Sequence, residues 1–172
     1  MPKKNLTILA INPGAKYLGL AVFRGPELRD WRIKVTKGKW SNEKYRKIME
    51  ILSGFIDQYG TDVLAVKRLN PSRSSPGLDR LVQKIIALAD KKGIRVYQYE
   101  IKELEAFFDA EGRSNKRKMA EIIASEYPAL YCQLDIERDN RNPYYLRMFE
   151  AVALGAVCFH QLDNSQRPKN LQ

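Results

Sequence analysis

The chain is expected to fold as an α/β domain on a five-stranded mixed sheet, with elements in the order βββαβαβ followed by helices. Three observations predict this. Two apolar runs, LTILAI and LGLAVF, flank a turn around Asn12, Pro13 and Gly14, the pattern of a hairpin. A third run, over 28–35, alternates Asp30, Arg32 and Lys34 with Trp31, Ile33 and Val35, the period-two pattern of a half-buried edge strand. Two further short apolar runs then follow stretches of helical periodicity, as in parallel strands joined by crossover helices.

The elements follow in order. Strands are expected over 6–11, 18–23 and 28–35, and Lys37, Gly38, Lys39 and Trp40 form a basic, exposed loop. Ser41 caps a helix over 42–59, in which Tyr45, Ile48, Ile51, Leu52, Phe55 and Ile56 recur at helical spacing, and Gly60 ends it. The run TDVLAV, 61–66, is short and apolar throughout, which suits a central strand covered on both faces. It delivers Lys67 and Arg68 into the loop LNPSRSSPG, whose Ser72, Ser74 and Ser75 can cap the next helix or meet phosphate. That helix spans 77–92, Gly93 closes it, and a strand at 94–99 completes a right-handed parallel crossover. A short helix over 101–108, the basic loop DAEGRSNKRK and a helix over 115–127 ended by Pro128 come next. Residues 130–142 have weak periodicity and are expected as a surface excursion. Pro143 opens a final helix to about 162, and 164–172 forms a flexible tail beyond a single domain of 1–163. Three antiparallel strands followed by parallel ones in one sheet is the plan of the ribonuclease-H-like superfamily.

Composition narrows the partners. With 172 residues and 44% hydrophobic content the chain can bury a core of its own. Thirty basic against twenty acidic residues give a net charge of +10 and a pI near 9.6, which favours polyanions, nucleic acid above all. Two cysteines, Cys132 and Cys158, make neither a disulfide framework nor a zinc site. The single histidine, His160, leaves no Ser–His–Asp or Cys–His arrangement and reads as a packed or surface residue. The opening MPKKNLTILAINPG breaks too early for a signal peptide or a membrane span, so a cytoplasmic protein is expected.

Four segments, in order, resemble the RuvC family of Holliday-junction resolvases. ILAINPGAKYLGLAVF resembles the family's opening I-x-x-I-D-P-G-x-x-x-x-G-x-x-V, and TDVLAVKR its later strand ending in a catalytic glutamate. GIRVYQYEIKELEAFF followed by GRSNKRKMAEII resembles its strand, short helix, basic loop and helix. RMFEAVALGAV resembles the last helix, which carries D-x-x-D-A-x-A-L-A. The resemblance spans roughly 6–162 and implies four carboxylates that hold divalent cations for phosphodiester cleavage. In this chain Asn12 stands at the first of those positions, Lys67 at the second, and Arg147 and Glu150 at the last two.

One carboxylate of four survives, and two replacements are cationic. Two metal ions about 4 Å apart require several anionic oxygens, and Mg²⁺ takes oxygen ligands at about 2.1 Å, which ammonium and guanidinium groups cannot supply. The expected protein therefore binds branched or duplex DNA with metal-dependent cleavage lost or very weak, needs no cofactor and has no metal site. The alternative is an active crossover-junction endonuclease using Mg²⁺, with Glu150 joined by acids such as Asp135 or Asp139. Glu150 lies in an otherwise apolar helix, where a carboxylate is costly unless paired, and Lys67 is its expected partner. Candidate phosphate contacts are Lys37, Lys39, Lys67, Arg68, Arg73, Arg113, Lys116, Arg117 and Lys118. Trp40 is a candidate for stacking on a base or for covering the core edge. The family's aromatic wedge has no counterpart in Leu69, Asn70 and Pro71. The helix LDRLVQKIIALADKKG, with Val82, Ile85, Ile86 and Ala89, suits either a homodimer interface or packing on the sheet.

Overall fold

The computed structural model of the chain describes residues 5–108, 116–140 and 144–165. Strands β1 (Thr7–Asn12), β2 (Tyr17–Arg24), β3 (Glu27–Val35), β4 (Val63–Lys67) and β5 (Arg95–Tyr99) form one sheet in the order β3-β2-β1-β4-β5. The first three pair antiparallel; β4 runs parallel to β1, and β5 parallel to β4. This is the α/β class and the five-stranded mixed sheet expected from the sequence.

Side-chain alternation along the strands divides the core into two layers. Leu9 and Ile11 of β1, Leu18, Leu20 and Val22 of β2, and Leu64 and Val66 of β4 face helices α1 (Asn42–Tyr59) and α2 (Pro76–Lys91). Ile8 and Ala10, Ala21 and Phe23, and Val63 and Ala65 face the opposite way. That second layer is closed by α3 (Ile101–Phe108), α4 (Lys116–Glu126), α5 (Tyr131–Asn140) and α6 (Tyr144–Ser165). The same period carries Asn12, at the end of β1, and Lys67, at the end of β4, onto the α6 side.

Helix ends follow their local chemistry. Ser41 Oγ accepts from Lys44 N at the start of α1, and Gly60 takes the left-handed conformation, φ 60°, that closes it. Ser75 caps α2 by accepting from Leu78 N, and Asn70 caps a 3-10 turn at Pro71–Arg73 within the expected loop. Helix α2 turns Leu81, Ile85 and Ala89 into the sheet, with Val82 also buried, which leaves Ile86 as its exposed large apolar side chain.

Two expectations are corrected. The stretch read as a surface excursion, 130–142, begins at the last residue of a second 3-10 turn, Pro128–Leu130, and then holds α5. Leu130, just before α5, and Leu134 within it are buried, while Tyr131 and Asp135 are exposed, so the start of the helix is anchored by its leucine side. The final helix runs to Ser165, past the expected end at 162, and so includes the start of the segment read as a tail. Arg113 and Pro143 lie outside the described residues. Among the described residues no helix is long and apolar enough to cross a membrane.

Helix α6 meets the sheet most closely at Gly19 of β2. A β-carbon there would overlap the Arg147 carbonyl and lie 3.3 Å from Met148 N. Only glycine lets the helix backbone rest directly on the strand at this point, and one helical turn further on α6 presents Glu150.

Candidate functional site

Glu150 sits beneath the C-terminal ends of β1 and β4, with a side chain only 2% exposed. Its Oε2 accepts from Lys67 Nζ at 2.8 Å and from Asn12 Nδ2 at 2.9 Å. Its Oε1 is 2.9 Å from Lys116 Nζ, at the start of α4. The Lys67 partner expected from the sequence is thus present, and Lys116 is a second one that sequence reasoning placed only among phosphate contacts. Burial pushes the Glu150 carboxyl up, but the two ammonium groups outweigh it and hold the carboxyl below its ordinary range.

Asn12 is fully buried, and its amide orientation follows from its acceptors. Nδ2 donates both to Glu150 and to the Arg147 carbonyl, 3.1 Å away. Asn12 Oδ1 is left buried with no hydrogen-bond partner among the described residues. Arg147, one turn before Glu150, is half-buried, and its guanidinium lies against Gly14 in the β1–β2 turn.

These groups do not fit a pair of divalent cations. Both carboxylate oxygens already face ammonium groups, and Asn12 turns its NH₂ toward the carboxylate, leaving one anionic side chain already paired with two cations. Among the described residues no group of three or more His, Cys, Asp and Glu side chains could hold a metal ion. Asp135 lies exposed on α5 and lines neither of the two clefts beside Glu150.

Several of the sequence-predicted phosphate contacts do converge. Lys67, Arg68, Arg73 and Lys116 line one cavity of about 340 Å³, together with Arg147 and with Lys102, which the sequence did not single out. A more open cleft on the other side of Lys116 and Arg147 is lined by Lys16, Tyr17 and Glu150. Lys37 and Lys39 are exposed on a separate groove beyond β3. Arg117 and Lys118 are exposed on the first turn of α4 and line neither cleft.

The loop carrying Lys37 and Lys39 is tied to the β1–β2 turn by a buried lysine. Lys44 Nζ donates to the Ala15 carbonyl at 2.7 Å and the Gly38 carbonyl at 2.9 Å, and lies 4.0 Å from the Trp40 ring centre. Burial lowers the pKa of this ammonium. Trp40 also stacks on Tyr45, with ring centres 5.1 Å apart, and packs on Gly77. Its ring therefore covers the core edge, the second of the two roles the sequence allowed, and is not presented for base stacking.

No protein-family model matches the chain, and no curated protein matches it in sequence. Solved structures do resemble it over nearly its whole length. The RuvC structure of Thermus thermophilus superposes with a TM-score of 0.69 at 16% identity, covering 92% of this chain and 97% of that one. T. thermophilus RuvC in complex with a Holliday junction substrate gives the same TM-score and identity, covering 93% and 97%. The yeast mitochondrial Holliday junction resolvase Ydc2 gives 0.67 at 9% identity, covering 94% and 84%. At these identities the likeness establishes architecture: the chain has the RuvC-like, ribonuclease-H-like fold.

Proposed function

We propose that the chain is a RuvC-like nucleic-acid-binding protein that holds branched or duplex DNA and does not cut it by a metal-dependent route. The observation that carries this reading is the engagement of Glu150 by Lys67, Lys116 and Asn12 at the strand ends. An ammonium there attracts a phosphate directly, where a metal site would need a cation between carboxylate and phosphate. The net charge of +10 and the convergence of Lys67, Arg68, Arg73, Lys116 and Arg147 on one cavity support binding to a polyanion. The same fold occurs in a RuvC bound to a Holliday junction substrate, which supports DNA as that polyanion.

The test is a mobility-shift and cleavage panel of duplex, flap and four-way junction, with and without Mg²⁺ or Mn²⁺. The parent chain is expected to shift at least one of these DNAs, with affinity falling as salt rises, and to leave all of them intact. A variant combining Asn12→Asp, Lys67→Glu and Arg147→Asp is expected to gain metal-dependent cleavage. Metal-dependent cleavage by the parent, unchanged in Lys67→Ala, would overturn the reading in favour of an active Mg²⁺ endonuclease.

A further inference from the structure

The cavity beside Glu150 has a lining of two chemical kinds. Lys67 and Lys116, both paired with that buried carboxylate, and Arg147 supply charge, while Leu69, Pro71 and Leu78 supply apolar surface, with Arg68, Asn70 and Arg73 interleaved along the same loop. Leu69 and Pro71 lie two and four residues beyond Lys67, so their apolar surface is within about 14 Å of that lysine along the chain. The volume, about 340 Å³, falls in the range of small-ligand pockets, about 300–1,000 Å³.

We propose that this cavity takes a single nucleotide bearing a terminal phosphate, with its base unstacked against Leu69, Pro71 and Leu78. The inference deepens the nucleic-acid reading above and rests on it. The charge supports a phosphomonoester over a singly charged diester: Lys67, Arg68, Arg73, Lys102, Lys116 and Arg147 line the cavity against one acid, Glu100, and so positive a lining favours the roughly −1.5 to −2 of a monoester at neutral pH. The donors are already placed. Each ammonium has three N–H groups and directs one to Glu150, which leaves two on each for phosphate oxygens. Glu150 thereby acts as a positioning residue. It holds two lysines from distant elements side by side, so little side-chain freedom is lost when an anion binds. The apolar part of the lining then distinguishes a nucleotide from a bare anion, since a base buries its surface against it and inorganic phosphate does not. The nucleotide can be free or can be the phosphorylated end of a strand, the shared chemistry being a base and a monoester.

The experiment is calorimetric titration of the full chain with thymidine 5′-monophosphate, thymidine and inorganic phosphate, alongside a four-way junction without terminal phosphates. The monophosphate is expected to bind at least tenfold more tightly than either fragment, and Lys116→Gln and Leu69→Asn each to weaken it tenfold or more. Saturation-transfer NMR on the unaltered protein gives a readout independent of variant folding, with magnetisation reaching the thymine methyl and ring protons. Fivefold preference for 5′-phosphorylated over unphosphorylated oligothymidine would support a strand end as the source; monophosphate binding without that preference would support a free nucleotide. Equal affinity for monophosphate and inorganic phosphate, or no transfer to the base, overturns the inference. A protein that shifts the junction but does not bind the monophosphate also overturns it, and leaves the DNA-holding reading in place.

Discussion

Replacing Lys67 with methionine keeps the length of the side chain and removes the ammonium from Glu150. A charge-assisted hydrogen bond contributes about 1.5–3 kcal/mol, and stripping a buried charge of its partner costs about 3–5 kcal/mol. Glu150 would keep Asn12 and Lys116, but Lys116 is 48% exposed and its attraction is screened by water. The expected loss at pH 7 is therefore about 2–3 kcal/mol, between a lost bond and a stranded charge. For a chain of this length that lowers Tm by roughly 4–12 °C. Urea unfolding at unchanged slope is the assay, with Lys67→Met measured in the parent and in a Glu150→Gln background. Once the carboxylate is an amide no charge is left to strand, and the second cost should fall below about 1 kcal/mol. A Lys67→Met cost within about 0.5 kcal/mol of zero, or an equal cost in both backgrounds, would refute the reasoning.

The lowered Glu150 pKa makes stability depend on acid. The contribution is complete above the unfolded carboxyl value of about 4.3 and disappears as pH falls through the lower folded value. Denaturant titrations from pH 7 to pH 2 should show the gap between parent and Glu150→Gln change only in that acid window. Gly19→Ala should cost about 3 kcal/mol, because its methyl meets the Arg147 carbonyl of α6 and the backbone must move, a loss that thermal unfolding would detect. Lys44→Met should cost about 1–2 kcal/mol by leaving the Gly38 carbonyl unpaired and the Ala15 carbonyl with only the long contact from Thr36 Oγ1, and hydrogen exchange should rise in the loop around Gly38.

The sheet was legible because its signals are local. The hairpin turn, the alternation in β3 and the apolar run of β4 each fall within one short window. Lys67 and Glu150 could be paired from sequence because both lie in segments whose places in the fold are set by strong patterns. Lys116 could not, since only the docking of α4 beside α6 brings its ammonium to Glu150 Oε1. Lys102 was missed for a related reason: nothing near it in sequence says that the start of α3 borders the strand ends. Trp40 was ambiguous because a tryptophan after a basic loop reads alike whether packed or exposed, and Lys44 and Tyr45 decide it. Helix α5 was lost because its sequence, YCQLDIERDN, carries too little apolar periodicity to mark a helix.

The seat of α6 on Gly19 sets how any change of chemistry at this cleft could proceed. With the α6 backbone already resting on Gly19, the helix has no room to approach the strand more closely, so Glu150 cannot sink deeper without moving the sheet. Charge swaps at positions 12, 67 and 147 would alter what surrounds the acid without relocating it. A lineage could thus pass between anion holder and metal enzyme by side-chain replacement alone, on an unmoved frame.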